Sequence, residues 1–262
     1  VLLDRFRLDD KVAIVTGAGR GIGRGSALAL AEQGADVVIT SRTAEQLEEV
    51  AAEVAARGRR ALVHPTDVSD TANLPGLVDA AVGEFGRVDI VVNNAGGTEP
   101  RPFLDTSERF FEAAFHFNVT TAFALTKLAT PHILETGGGA VVNISSAMGR
   151  LTGRGYAAYG TAKGALTHMT RLLSLDLAPR IRVNAIAVGA TATSALEIVL
   201  TNDELREAMV ATTPLKRLGE VEDIALAVLY LASPAGGFLT GKVLEVDGGI
   251  EQPNFDMGLP DL

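Results

Sequence analysis

Val12-Ala13-Ile14-Val15-Thr16-Gly17-Ala18-Gly19-Arg20-Gly21-Ile22-Gly23 opens with an apolar, β-branched run and closes with four glycines in seven positions. The run reads as a buried strand, and an apolar helical pattern continues from it as far as Gly34. A glycine cluster between a strand and a helix carries a specific physical meaning. Glycine lets the backbone turn tightly and approach a pyrophosphate, while the free N–H groups and positive dipole end of the helix favour the anion. Glycine-rich turns also serve ordinary packing, so the turn alone does not decide between the two.

Outward from this unit the pattern repeats. Strand candidates fall at 12–16, 36–40, 61–64, 90–93, 140–144, 182–187 and 243–246, with helix candidates near 23–33, 44–56, 74–85, 107–134, 156–177, 195–211 and 221–231. Short strands alternating with long helices predict an α/β fold, a seven-stranded parallel sheet with helices on both faces in the doubly wound Rossmann manner. No linker or internal repeat divides residues 1–262, so one domain is expected, with a glycine-rich half at about 9–135, a second half at about 136–250 and a tail at 251–262.

The bulk properties narrow the function classes. A formal charge of −9 and a pI near 5.0 disfavour nucleic acid and anionic membrane as partners. Cysteine is absent, which removes disulfides, thiolate nucleophiles and Cys-containing zinc sites. His64, His116, His132 and His168 show no metal-ligand spacing and read as ordinary core or surface residues; no metal is expected. No apolar stretch approaches the roughly 20 residues of a membrane span, and the charged N-terminus is unlike a signal peptide; the expected location is cytoplasmic.

At the end of the second strand, Thr40-Ser41-Arg42 carries no acid where an NAD-preferring Rossmann fold usually places one against the ribose 2′-hydroxyl. Arg42, with Arg20, is suited to a 2′-phosphate, which makes NADP(H) the preferred cofactor and NAD(H) the other; Arg42 as a solvated start to a helix is the bland alternative. Farther on, Tyr159 and Lys163 stand at i, i+4 spacing on one helical face. Making a phenol of pKa near 10 a base at neutrality needs about 4 kcal/mol, and an ammonium at about 4 Å in an effective dielectric near 20 supplies roughly that much. Alone, such a pair is often just a solvated helix face.

Taken with the glycine loop, Asn93-Asn94-Ala95-Gly96 and Asn143-Ile144-Ser145-Ser146, the Tyr159-Gly160-Thr161-Ala162-Lys163 motif resembles the short-chain dehydrogenase/reductase family, and the similarity runs from Lys11 to Val246-Asp247-Gly248-Gly249. The resemblance implies an oxidoreductase moving a hydride between a nicotinamide and a carbonyl or secondary alcohol. Tyr159 would be the acid/base group, Lys163 would lower its pKa and bond the nicotinamide ribose, Ser146 would hold the substrate oxygen, and Asn118 would hold a relay water. Gly17, Arg20, Gly21, Ile22 and Gly23 would form the phosphate loop, Ser41 and Arg42 would face the ribose, and Asp67 and Val68 the adenine. Asn94, Ala95 and Gly96 would lie under the cofactor, and Gly189, Thr191 and Thr193 along the nicotinamide. The family usually has Pro-Gly where this chain has Val188-Gly189, which removes a fixed φ and restores an N–H.

Met148, Leu151 and Leu196 are the candidate substrate wall, Leu196 within an apolar stretch where the family places a lid. Arg150 and Arg154 would greet an anionic tail or face water, and Tyr156 is wall or packing. An apolar, steroid-like or 3-oxoacyl-like small molecule is the expected substrate. The rival reading is a non-catalytic dinucleotide-binding regulator, which would not need the Asn118, Ser146, Tyr159 and Lys163 set. By resemblance the chain would assemble as a homotetramer or homodimer, with the tail able to cross to a neighbour.

Overall fold

The computed structural model describes residues 1–254, 258 and 259, without the side chains of Ala195 and Ile198. Seven strands, β1 (Val12–Thr16), β2 (Asp36–Thr40), β3 (Ala61–Val63), β4 (Ile90–Asn93), β5 (Gly139–Ser146), β6 (Ile181–Val188) and β7 (Val243–Val246), form one all-parallel sheet in the order β3-β2-β1-β4-β5-β6-β7. The helices are α1 (Gly21–Glu32), α2 (Ala44–Ala56), α3 (Leu74–Phe85), α4 (Glu108–Phe115), α5 (Thr121–Glu135), α6 (Ala157–Asp176), α7 (Glu197–Leu200), α8 (Asp203–Thr212) and α9 (Val221–Ala232).

Every residue of β1 is buried because both faces of the sheet are covered. Ala13 and Val15 pack with Ala27, Leu30, Leu47, Val50, Ile224 and Val228 of α1, α2 and α9. Val12 and Ile14 point the other way, onto Leu74, Leu77, Leu125 and Ala129 of α3 and α5. Strand period two thus delivers one run of sequence to two cores. The strand order reverses between β1 and β4, where an open parallel sheet leaves a crevice beyond its carboxyl ends.

Two charged groups, Asp89 and Arg182, brace this frame. Asp89 accepts from the Val12 amide at 3.0 Å, Lys11 at 3.1 Å and Arg87 at 2.7 Å, tying the start of β1 to that of β4. Arg182 on β6 donates to the carbonyls of Leu231, Ala232, Ser233 and Gly236, closing the end of α9; burial lowers its pKa.

Two expected helices differ. The pattern over 107–134 predicts one helix, but a π-helical turn, His116–Thr120, separates α4 from α5. The stretch 195–211 divides into a 3-10 turn, Ser194–Leu196, then α7 and α8, because Asn202 stops the first run and caps the second, accepting from the Leu205 amide at 3.1 Å. β5 and β6 run further than expected, the latter through Val188, which pairs with Val246.

Candidate active site

The phosphate-loop candidates line the crevice. Gly17 and Gly21 hold φ of +63° and +53°, conformations an L side chain rarely adopts, and a Cβ on Gly23 would stand 2.2 Å from the Gly17 carbonyl oxygen. The loop therefore folds onto itself only with glycine here, leaving a concave backbone at the N-terminus of α1. Thr16 Oγ1 accepts the amides of Asn94 and Ala95 at 3.0 and 2.9 Å, and Asn94 Nδ2 donates to Thr16 O and Gly17 O, so the ends of β1 and β4 are stitched into one floor. Ile22 packs downward on the core, leaving Arg20 exposed at the N-cap of α1. This cradle, which any Cβ would fill, fits a dinucleotide pyrophosphate.

Beside it, Ser41 Oγ comes within 2.9 Å of where a Cβ on Gly19 would sit. Arg42 is exposed, and neither it nor Arg20 makes an ion pair or hydrogen bond through its guanidinium among the described residues. Asp67 is also exposed, and its carboxylate accepts the Ser69 amide and hydroxyl, which with the Arg42 charge hold its pKa below the ordinary value. Val68 is buried against Leu74 and Leu77. Thr193 faces Gly21 across the crevice, its Cγ2 3.4 Å from the glycine's Cβ position, and Thr191 is buried in a bridge to Gly219. Gly189 lies so close to Asp247 that a Cβ would come 2.5 Å from the Asp247 Cα.

Ser146 ends β5, and Tyr159 and Lys163 stand beyond it on one face of α6. Burial raises the Tyr159 pKa, and a hydrogen bond from Ser146 opposes the rise. Lys163 is 4% exposed, its Nζ donating to the Ile144 carbonyl at 2.9 Å and lying 5.8 Å from the centroid of the Tyr159 ring. Its dehydration lowers its pKa to about 8. The expected lowering of the phenol by the ammonium is therefore not what these groups do by themselves. Burial dominates both, and the ammonium is bonded to the strand carbonyl. Ser145 turns to the other side, bonding Lys163 O and Thr167 Oγ1.

The π turn carries Asn118 into the same place. Asn118 Oδ1 accepts the Gly97 amide at 2.9 Å, and its Nδ2 donates to Ala114 O at 2.8 Å. A Cβ on Gly96 would meet Asn118 Oδ1 at 2.8 Å and Lys163 Nζ at 3.2 Å, so the glycine is what lets these two polar groups approach.

Leu151 is buried with Ala147 and Ile250, and Met148 packs on that cluster. Leu196 is half-buried in its 3-10 turn. Arg150 does not wait for an anionic ligand. It pairs with Glu245 and Glu251 at 3.1 Å and Asp247 at 3.2 Å and donates to Ile250 O at 2.8 Å. Arg154 donates to Leu259 O at 2.8 Å. The described part of the tail thus lies on the chain's own loop at 150–154, with Asn254 bonding Thr213 at 3.0 Å. Sequence reasoning missed this use of residues 247–254, whose signals were the acids at Asp247 and Glu251.

Residues 17–251 match the family described as Enoyl-(Acyl carrier protein) reductase. Over 247 residues the chain is 40% identical to 7alpha-hydroxysteroid dehydrogenase of Escherichia coli, covering 94% of this chain and 96% of that one. The chain is a short-chain dehydrogenase/reductase. This short-chain dehydrogenase/reductase is also 59% identical, over the full length of both, to an uncharacterized oxidoreductase of Mycobacterium tuberculosis. It is 33% identical to a 3-oxoacyl-[acyl-carrier-protein] reductase of Thermotoga maritima over 94% of this chain and 99% of that one. A solved 7 alpha-hydroxysteroid dehydrogenase complexed with NADH and 7-oxo glycochenodeoxycholic acid superposes with a TM-score of 0.92 at 38% identity, over 96% of this chain and 98% of that one. The chain is accordingly an NAD(P)-dependent oxidoreductase. At Val188, the departure from the family's usual proline, the strand simply continues, and Gly189 N donates to Val246 O at 3.0 Å.

Proposed function

We propose that this enzyme interconverts a ketone and a secondary alcohol on an apolar small molecule, steroid-like or 3-oxoacyl-like, with Tyr159 as the acid/base group. The observation that carries the reading is the convergence of Ser146, Tyr159, Lys163 and Asn118 beside a glycine cradle. Gly17, Gly21, Gly23, Asn94 and Thr193 would hold a nicotinamide dinucleotide, which would supply or accept the hydride. In reduction, Ser146 and Tyr159 hydrogen-bond the carbonyl oxygen, stabilising the negative charge that develops there, and Tyr159 gives it the proton. Lys163, with a single carbonyl partner among the described residues, has N–H donors left for a ribose hydroxyl, and Asn118 steadies the loop at Gly97 behind it.

NADP(H) is the preferred cofactor in this reading. The guanidinium groups of Arg20 and Arg42, unpaired among the described residues, flank the end of β2, and no carboxylate occupies positions 40–42. The apolar substrate rests on Met148 and Leu196 beside the pocket and on the two kinds of relatives. Turnover of a ketone panel that includes a 7-oxo bile acid and a 3-oxoacyl thioester, run with NADPH and NADH, tests all of this. No turnover with either cofactor overturns it.

Assembly into a homotetramer or homodimer is supported by apolar side chains left exposed on two faces: Phe111, Phe115 and Phe123 on α4 and α5, and Phe238 and Leu244 at the β7 edge. Sedimentation that shows monomer alone removes it.

A further inference from the structure

We propose that Tyr156 is a specificity-determining residue, its phenol hydrogen-bonding a second oxygen function of the substrate, a hydroxyl or carbonyl within about a ring's width of the reacting carbon. The inference rests on the ketone/alcohol reading above and narrows its substrate class. Tyr156 is the N-cap of α6, and the Gly160 amide donates to its carbonyl at 2.7 Å, which starts the helix. At 3.6 residues per turn, Tyr156, Tyr159 and Lys163 fall within about 60° of one another around the helix axis, one turn apart. Lys163 lies one turn inward, against Ile144 and Gly96 on the cradle side. Tyr156 lies one turn outward, so the catalytic hydroxyl stands between the ammonium and a second phenol.

The contacts of Tyr156 agree with that placement. Its ring is 6.4 Å from that of Tyr159, centroid to centroid, at an interplanar angle of 52°. Around Gly153, a Cβ would stand 3.2 Å from both Met148 Cε and Tyr156 Cδ2 and 3.5 Å from Pro253 Cγ. Tyr156 therefore closes a wall made with Met148 and the tail, and the missing Cβ of Gly153 is what lets the three converge. The ring is half-buried, and burial, then the charge that Tyr159 can carry, raise its pKa, so it remains a neutral donor. Its hydroxyl has no hydrogen-bond partner among the described residues. A half-buried phenol ordinarily finds one. Met148, which meets it at Gly153, offers none, and the phenol oxygen is not sealed away, so it is reached from outside as an arriving substrate's oxygen would reach it.

The test uses paired ketones that differ by one oxygen: a 7-oxo bile acid bearing a 3-hydroxyl against its 3-deoxy analogue, and a 3-oxo ester against the plain ketone of the same chain length. The enzyme as it stands prefers the oxygenated member of at least one pair by about tenfold in kcat/KM, the worth of one neutral hydrogen bond, expressed mainly in KM. Tyr156→Phe, which keeps the ring and its packing, brings that ratio to near one. No preference in the parent enzyme, or a preference that survives Tyr156→Phe, overturns the assignment while leaving the oxidoreductase reading intact. Failure of the parent to reduce any of the four ketones overturns both.

Discussion

Lys163 Nζ is held at 2.9 Å by the Ile144 carbonyl, 5.8 Å from the centre of the Tyr159 ring, so the ammonium is anchored by β5 before any ligand reaches it. The strand therefore places the charge, and the helix places the phenol against it.

Replacing Tyr159 by Phe removes only the proton. Turnover should fall by about a thousandfold, within the range of a lost general acid, while NADPH affinity stays within about twofold. Single-turnover kinetics with fluorescence titration checks both, and retained turnover would exclude the mechanism.

The pH profile is set by burial. A phenol whose pKa is raised keeps its proton at neutrality, so alcohol oxidation, which needs the base form, should climb as pH rises past 7. Ketone reduction needs the protonated phenol and the ammonium. It should hold level from pH 6 and decline as Lys163 discharges through about 8. A reduction rate that instead grows between pH 8 and 10 contradicts these assignments.

Exchanging Arg42 for Asp places a carboxylate where a 2′-phosphate would lie and removes one charge-assisted contact. The kcat/KM for NADPH should drop by about 10- to 100-fold and that for NADH should rise. Equal values for both cofactors in the parent, unchanged by the substitution, would remove the preference.

Asp89 bears on stability alone. Burial raises its pKa, yet the bonds from Arg87, the Val12 amide and Lys11 outweigh it and hold the carboxyl below its ordinary value. Its contribution is therefore present above about pH 4, the ordinary carboxyl value, and is lost as pH falls through the depressed one. Asp89→Ala leaves the buried Val12 amide unmet and takes the partner from Arg87 and Lys11, and should cost about 3 kcal/mol in urea unfolding at pH 7. A change under about 1 kcal/mol would show that the network is dispensable.

The frame was legible because its signals are local. The glycine spacing at 17–23, the unbroken apolar run of Val12 to Val15 and the Tyr159–Lys163 interval are each written in one short stretch. What escaped depends on meetings across the chain. Arg150 finds Glu245 and Asp247 almost a hundred residues away, and nothing near Arg150 announces them. The burial that raises the Tyr159 pKa is likewise a property of the assembled pocket, which pairwise Coulomb reasoning from an i, i+4 spacing leaves out. The break at His116 was hidden because a π turn needs no proline or glycine and keeps the apolar rhythm on either side.

That turn makes the helix sensitive to length more than to composition. A π turn absorbs one residue beyond the α-helical repeat, sparing everything downstream the rotation of about 100° that the same residue would impose in an α-helix. Removing a residue between His116 and Thr120 would close the turn into regular helix, shifting Asn118 off the Gly97 amide while Leu125 and Ala129 keep their side of the sheet. The surplus residue thus belongs to the centre and not to the core, and its loss would be felt in activity before stability.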